Sequence, residues 1–289
     1  MPRNGYGLLQ QASSYSTLFL PLIRFALQLF PVTGRCDILD IMSEIISDGL
    51  NPIVAGLFVP FAAEILKGYD AAVHSIYVVG SAVTTDYNER TSDINSLIVL
   101  RDMDFASLEF IASLGNKFRK KGIAAPLTMT PAYIDSSLDV FPMEFLDLKN
   151  IHVTVCGDDI LKDLRIDDSN LRLQCEREVK SKLINLRHGY VSSLGERKSL
   201  SEQLTRTVYG YVPLFRAIIH LMGKASPVEK HKVVVALRDI TGIETDIFEK
   251  IMLVKKKAAV FSKEEIASVF KQYYIATEKL AGIVDGLQT

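Results

Sequence analysis

The chain has no tryptophan, only three cysteines and no excess of either charge: 33 Lys and Arg stand against 34 Asp and Glu in 289 residues. Each scarcity closes a class of protein. Cys36, Cys156 and Cys175 form no CxxC pair and no metal-ligand spacing, so reduced thiols in a cytoplasmic protein are expected rather than a disulfide framework or a zinc site. Without tryptophan, and with no strongly basic first half, a nucleic-acid partner is not expected. There is no internal repeat and no low-complexity tract. No run reads as a membrane span: Arg24 splits the apolar Thr17–Val32, while the uncharged Asn51–Ala63 is short and holds Pro52 and Pro60. Arg3 precedes an apolar run as in a signal peptide, but the polar Gln10–Thr17 tract and Arg24 speak against one.

What is present is ordinary globular composition, 48% hydrophobic and 23% charged, at a length that suits two domains. The charge is unevenly placed. Residues 1–170 hold 13 Lys and Arg against 21 Asp and Glu, whereas residues 171–289 hold 20 against 13. Two readings follow: a phosphate-bearing ligand between the halves, or halves that simply attract each other.

Residues 1–36 fit no capped, periodic element. They are expected to be a poorly ordered extension, or sequence upstream of a start at Met42, contributing little to the core. Asp37–Ile46 carries isoleucines and a methionine at helical spacing, and a second helix is expected over Pro52–Lys67, closed by Gly68. His74–Val79 and Ile94–Leu100 are short β-rich runs that read as buried strands. A helix over Phe105–Lys121 ends in a basic turn before Gly122. Leu127–Thr130, Val140–Leu148 and His152–Cys156 read as further strands, with a helical turn over Pro131–Ser136 and a short helix over Ile160–Leu164. After Asp167–Asn170 strand signals vanish. Four or five helices are expected to the end, with breaks at Gly195, Gly223–Pro227, Gly242 and Phe261–Ser262. The division is therefore 1–36, then a sheet-bearing domain over 37–165, then a helical bundle over 171–289.

The chemistry is concentrated in Tyr77–Leu100. A strand ends in Gly80-Ser81, a polar loop follows, and Ser92-Asp93-Ile94-Asn95 opens a second strand. Gly80 lets the chain turn off a strand and lets backbone N–H groups approach a phosphate, and Ser81 adds a hydroxyl donor. Asp93 and Asn95, two apart, share one face of a strand. Glu144, a carboxylate inside the apolar Val140–Leu148 run, is costly there unless paired or bound to a metal. Asp147 has the opposite strand parity.

This arrangement resembles the nucleotidyltransferase superfamily, whose signature is Gly-Ser, about ten residues, then Asp-x-Asp/Glu opening a strand. The resemblance spans Val73–Asp159 and implies an α+β fold: a mixed sheet flanked by helices, followed by an all-α bundle. It further implies Asp93 and Glu144 as catalytic acids, Gly80, Ser81 and Ser92 as nucleotide contacts, and Mg²⁺ held by Asp93, Asn95 and Glu144. The activity it implies is magnesium-dependent transfer of a nucleoside monophosphate from an NTP to a hydroxyl on a small molecule or protein. The second acid of the signature is here Asn95, whose amide brings no charge to a metal. That departure supports an alternative, a catalytically inactive nucleotide- or partner-binding module on the same fold. A homo-oligomer or a protein partner is left open. Arg216 and His220 stand one residue closer than the Arg-x4-6-His motif of HEPN ribonuclease domains and read as an ordinary helix pair. Arg172, Arg177, Lys180 and Arg187 read either as a triphosphate clamp or as an ion-paired helix face, and Lys255–Lys257 as a solvated helix end.

Overall fold

The computed structural model describes residues 45–256, 261–262 and 264–287, all within one compact unit. The expected extension over 1–36 lies outside the described residues, as does the helix over 37–46 apart from its last two residues. Those two, Ile45 and Ile46, have irregular backbone. The Ile46 N–H is held by the Val155 carbonyl at 2.7 Å.

Helix α1 (Pro52–Tyr69) starts as its sequence dictates. The Asn51 side chain accepts from the Ile53 N–H, and Pro52 occupies the first helical position, where a missing N–H costs nothing. The helix runs through Pro60 without a break, so it is long and apolar enough, by length and composition alone, to cross a bilayer. Its stripe of Val54, Phe58, Phe61, Ile65 and Leu66 is instead buried, as in a helix laid on a sheet.

Strands β1 (Val73–Val79), β2 (Asn95–Leu100), β3 (Leu127–Met129) and β4 (His152–Gly157) form a mixed sheet in the order β3-β2-β1-β4. β1 is antiparallel to both β2 and β4, while β2 and β3 are parallel. Helix α2 (Phe105–Phe118), capped by Asp104, packs on α1 with the Phe61 and Phe118 ring centroids 5.1 Å apart. The other face of the sheet presents Tyr77, Val79, Leu97 and Val99 to a cluster with Ile134 of α3 (Pro131–Ser137) and Phe145 and Leu148 of α4 (Pro142–Asn150).

The segment expected as a fourth strand, Val140–Leu148, is thus mostly the helix α4, and Ile160–Leu164 is an irregular turn rather than a helix. Pro142 at the first helical position starts α4, with Glu144 in the first turn and Lys149 in the last. The helix buries two opposed faces. Phe145 and Leu148 meet the sheet cluster, while Met143 and Leu146 belong to the core of the helical part. At about 2 kcal/mol for each buried large apolar side chain, this one helix joins the two cores. A helix apolar on two sides loses the single stripe that marks helical periodicity, which is why the run reads as a strand.

Beyond it lie α5 (Asp168–Ser192), α6 (Arg197–Thr207), α7 (Val212–Leu221), α8 (Lys230–Thr241), α9 (Asp246–Lys255) and α10 (Ile266–Gly286). These are six helices among the described residues, more than the four or five expected: four breaks fall at or beside the expected positions, and a further one, the 3₁₀ turn Val208–Tyr211 between α6 and α7, was not expected. Tyr211, Phe215, Phe248 and Tyr273 fill their centre as a chain of ring contacts at 4.9–5.8 Å. Cys175 is buried in the same core, where desolvation pushes its thiol up to about 12 and leaves it no nucleophile.

Gly157 ends β4 with φ +75°, and a Cβ there would lie 2.0 Å from the His74 carbonyl oxygen. Gly122 has φ +79° and open space around it. Gly157→Ala is therefore expected to cost at least ~2 kcal/mol in urea unfolding, against about 1 kcal/mol for Gly122→Ala. Equal costs would contradict the pairing of β1 with β4.

Candidate functional site

Helix α4 decides the geometry of the site. On a helix, positions 144 and 147 stand one turn apart on a single face. Glu144 and Asp147 accordingly line the same cavity, and the strand parity that separates them does not apply. Glu144 is exposed. Its Oε2 accepts from Gln174 Nε2 at 2.7 Å, while Gln174 Oε1 accepts the Met143 N–H at 2.8 Å. Gln174, on α5 and 5% exposed, thus satisfies an orphan N–H at the start of α4 and steadies the carboxylate beside it.

The cavity, about 600 Å³, lies between the sheet and the helical bundle. Its apolar walls include Leu127 and Met129 of β3, Phe145 and Leu148 of α4, and Val212 and Pro213 of α7. Its charges come mostly in pairs that join the two parts. Arg216, its side chain 7% exposed, donates to Asp147 Oδ2 at 2.9 Å and to the carbonyls of Val228 at 2.6 Å and Pro227 at 3.4 Å. Burial holds the Asp147 carboxyl above the usual carboxylate range, outweighing the downward pull of Arg216. Asp86, in the loop after β1, accepts the Lys230 N–H at 2.8 Å, and the Lys230 ammonium lies 3.8 Å from the same oxygen. A carboxylate from the sheet part therefore sits at the N-terminus of α8, where the helix dipole favours it. Burial lowers the Lys230 pKa against the pull of Asp86. Both pairs set an acid of the first half against a base of the second.

The Gly-Ser turn lies at the edge of this cavity. Gly80 has φ +71°, its N–H donates to the Ile151 carbonyl at 3.2 Å, and Gly80–Val83 forms a single 3₁₀ turn. Only glycine adopts that φ without strain. Asn95 pairs with Val79 across the strands, and its Nδ2 lies 4.0 Å from where a Gly80 Cβ would stand. The turn and the start of β2 are therefore adjacent. Asp93 and Asn95 are exposed.

Asp93 and Ser92 line a separate depression with Arg90, Arg119, Lys120 and Lys121. Ser92 also serves the loop itself, its Oγ accepting the Asn88 N–H at 3.2 Å. Gly80, Ser81 and Glu144 thus share one cavity, and Asp93 and Ser92 share another. The strand beside β2 is β3, whose cavity-facing residues are Leu127 and Met129. No group of three His, Cys, Asp or Glu side chains suited to a metal exists among the described residues. Asp93, expected on the strand with Asn95, lies in irregular backbone just before β2, so the carboxylate and the amide do not share a strand face as the sequence implied.

Three of the four residues in the basic run on α5 are ion-paired. Arg172 meets Glu176 at 3.0 Å, Lys180 meets Glu176 and Asp285, and Arg187 meets Glu278 at 3.5 Å. Lys255 lies over the Tyr209 ring at 4.5 Å. Sequence reasoning did not find Asp86, Gln174, Asp147 or Arg216 as parts of the cleft. The available signal was Pro142, which marks a helix start and so puts 144 and 147 on one face.

Comparison with family models finds no match, and no curated protein matches the chain. Among solved structures, spectinomycin adenyltransferase AAD(9) from Enterococcus faecialis, a structure with ATP and spectinomycin, aligns over 77% of this chain and 97% of its own. The identity is 13% and the TM-score 0.47. A nucleotidyltransferase-like protein from Exiguobacterium sibiricum aligns over 75% and 72%, at 14% identity and a TM-score of 0.36. Likenesses this loose carry no activity over to the chain.

Removing Arg216 would leave Asp147 partly buried without its counter-ion. Arg216→Met is expected to cost about 3–5 kcal/mol in urea unfolding. The double variant Asp147→Leu with Arg216→Met should recover at least half of that loss. A single-variant cost below ~1 kcal/mol, the level of an exposed pair, would contradict the role given to this contact.

Proposed function

We propose that this protein binds a nucleotide at the Gly80-Ser81 turn and the exposed start of β2, and does not transfer it. It is a catalytically silent binding module on a nucleotidyltransferase-type fold. One observation carries the reading: the entry to β2 supplies a single carboxylate, Asp93 just before the strand, because position 95 is an amide and β3 presents Leu127 and Met129. Phosphoryl transfer through paired metals needs a cluster of acids to hold them, and Asn95 can lend an oxygen but no charge. Binding needs less. The positive-φ turn can present backbone N–H groups, and Arg90, Arg119, Lys120 and Lys121, which make no ion pair among the described residues, surround Asp93 with the charge a triphosphate calls for.

A second reading, magnesium-dependent transfer of a nucleoside monophosphate to a hydroxyl, keeps Asp93 and Glu144 as the acids and Asn95 as a neutral ligand. It is favoured by one fact, that Gly80, Ser81 and Glu144 line the same cavity. Titration calorimetry of wild type, Asp93→Asn and Asn95→Asp with ATP and GTP, with and without Mg²⁺, separates the two when pyrophosphate release is followed in parallel. A silent module predicts that wild type binds nucleotide without releasing pyrophosphate. It also predicts that Asn95→Asp tightens binding only when Mg²⁺ is present, by roughly tenfold, or about 1.4 kcal/mol. Pyrophosphate release by wild type that Asp93→Asn abolishes would establish the second reading instead. If no variant binds nucleotide, the phosphate role of Gly80-Ser81 is wrong.

A further inference from the structure

The cavity between sheet and bundle is far less polar than a triphosphate site. Its volume of about 600 Å³ suits a drug-sized ligand. Three large apolar side chains that line it, Leu127, Tyr133 and Phe141, remain 51%, 49% and 42% exposed, although they come from β3, α3 and the residue before α4. Exposed apolar groups gathered from separate elements around one concavity mark a binding surface.

The charge points the same way. Of the five charged residues lining the cavity, Asp147 is paired with Arg216 and Asp86 with Lys230. Glu144 alone makes no ion pair among the described residues, and one of its oxygens is engaged by Gln174. Lys255 is held over the Tyr209 ring and does not line the cavity. A polyanion entering here would have to break the pairs that tie the two parts together, and would meet the Glu144 carboxylate. A neutral molecule breaks nothing, and a hydroxyl on it can donate to that carboxylate.

We infer that this cavity binds an uncharged, largely apolar small molecule carrying a hydroxyl, an aromatic or alicyclic alcohol, with the body against the Leu127, Met129 and Phe145 wall and the hydroxyl towards Glu144. This rests on the cleft being a binding site and is independent of whether Asp93 supports transfer.

A matched pair of probes tests it on the full chain: 2-naphthol and 2-naphthyl phosphate, titrated by fluorescence and ligand-observed NMR. Saturable 2-naphthol binding is expected, with 2-naphthyl phosphate weaker by about tenfold or more. Leu127→Glu and Phe141→Glu, both at exposed positions, should each weaken 2-naphthol by roughly fivefold or more, as loss of an anchor contact does. Leu194→Glu, 93% exposed and outside the cavity, should leave binding unchanged. Far-ultraviolet melting of each variant identifies any that fails to fold, in which case the other rim variant carries the test. Equal or tighter binding of the phosphate, absence of saturable binding, or insensitivity to the folded rim variants would overturn the inference. ATP titration of the same samples separates the two proposals. In the wild-type protein, absence of 2-naphthol binding with ATP bound counts against this inference alone, and absence of ATP binding with 2-naphthol bound counts against the nucleotide site alone.

Discussion

A guanidinium that is almost wholly buried must be satisfied on the spot, and much of this molecule is arranged around the one at Arg216. It has a carboxylate from α4 and two carbonyls from the segment before α8. Those partners belong to the sheet part and to the connection between bundle helices, while Arg216 itself belongs to the bundle helix α7. Meeting the hydrogen-bond needs of one cation therefore fixes three pieces of chain relative to each other. The desolvation cost of such a pair is high, so its contribution lies in position more than in net stability. Gln174 and Asp86 act in the same sense at lower cost. Each places a polar side chain at the start of a helix belonging to the other part, Gln174 at α4 and Asp86 at α8.

These ties shape the cleft and also use up its charge. The cations that line it are engaged by acids across the gap, which leaves apolar walls and the Glu144 carboxylate facing the space. Arg90, Arg119, Lys120 and Lys121, which make no ion pair among the described residues, lie outside it, beside Asp93. The molecule thus divides its surfaces by polarity. The edge near the Gly-Ser turn and Asp93 suits phosphates, and the interior of the cleft suits an uncharged body. A hydroxyl acceptor and a nucleotide on the two surfaces would match the general plan that the Tyr77–Leu100 signature implies. In the proposed reading, the amide at Asn95 is what separates binding from transfer.

Much of this was legible in the residues. Gly80 announces the positive-φ turn, and the runs before it and after Asp93 form the two strands expected of them, because short β-branched stretches bounded by turn residues have few other options. The helical second part is readable from its helical periodicity and, for most of its breaks, from glycine and proline punctuation. The failure lies in α4. Its apolar residues face two cores at once, so neither helical nor strand periodicity is clean, and the short, mostly apolar run reads as a strand. That single error placed Glu144 beside β2 and set Asp147 aside, when the two stand together on one face. The ties of Gln174 and Asp86 carry no local signal at all, since each depends on a partner 31 or 144 positions away.

The central claim is that the entry to β2 offers one carboxylate, enough to border a nucleotide and too few to hold a metal pair. Crystals soaked with a non-hydrolysable ATP analogue and Mn²⁺, with the metal located by its anomalous scattering, test this most directly. The account predicts phosphates against the Gly80-Ser81 turn and no paired metals. Two manganese ions about 3.5–4 Å apart, the spacing of two-metal centres, held by Asp93 and Glu144, would contradict it.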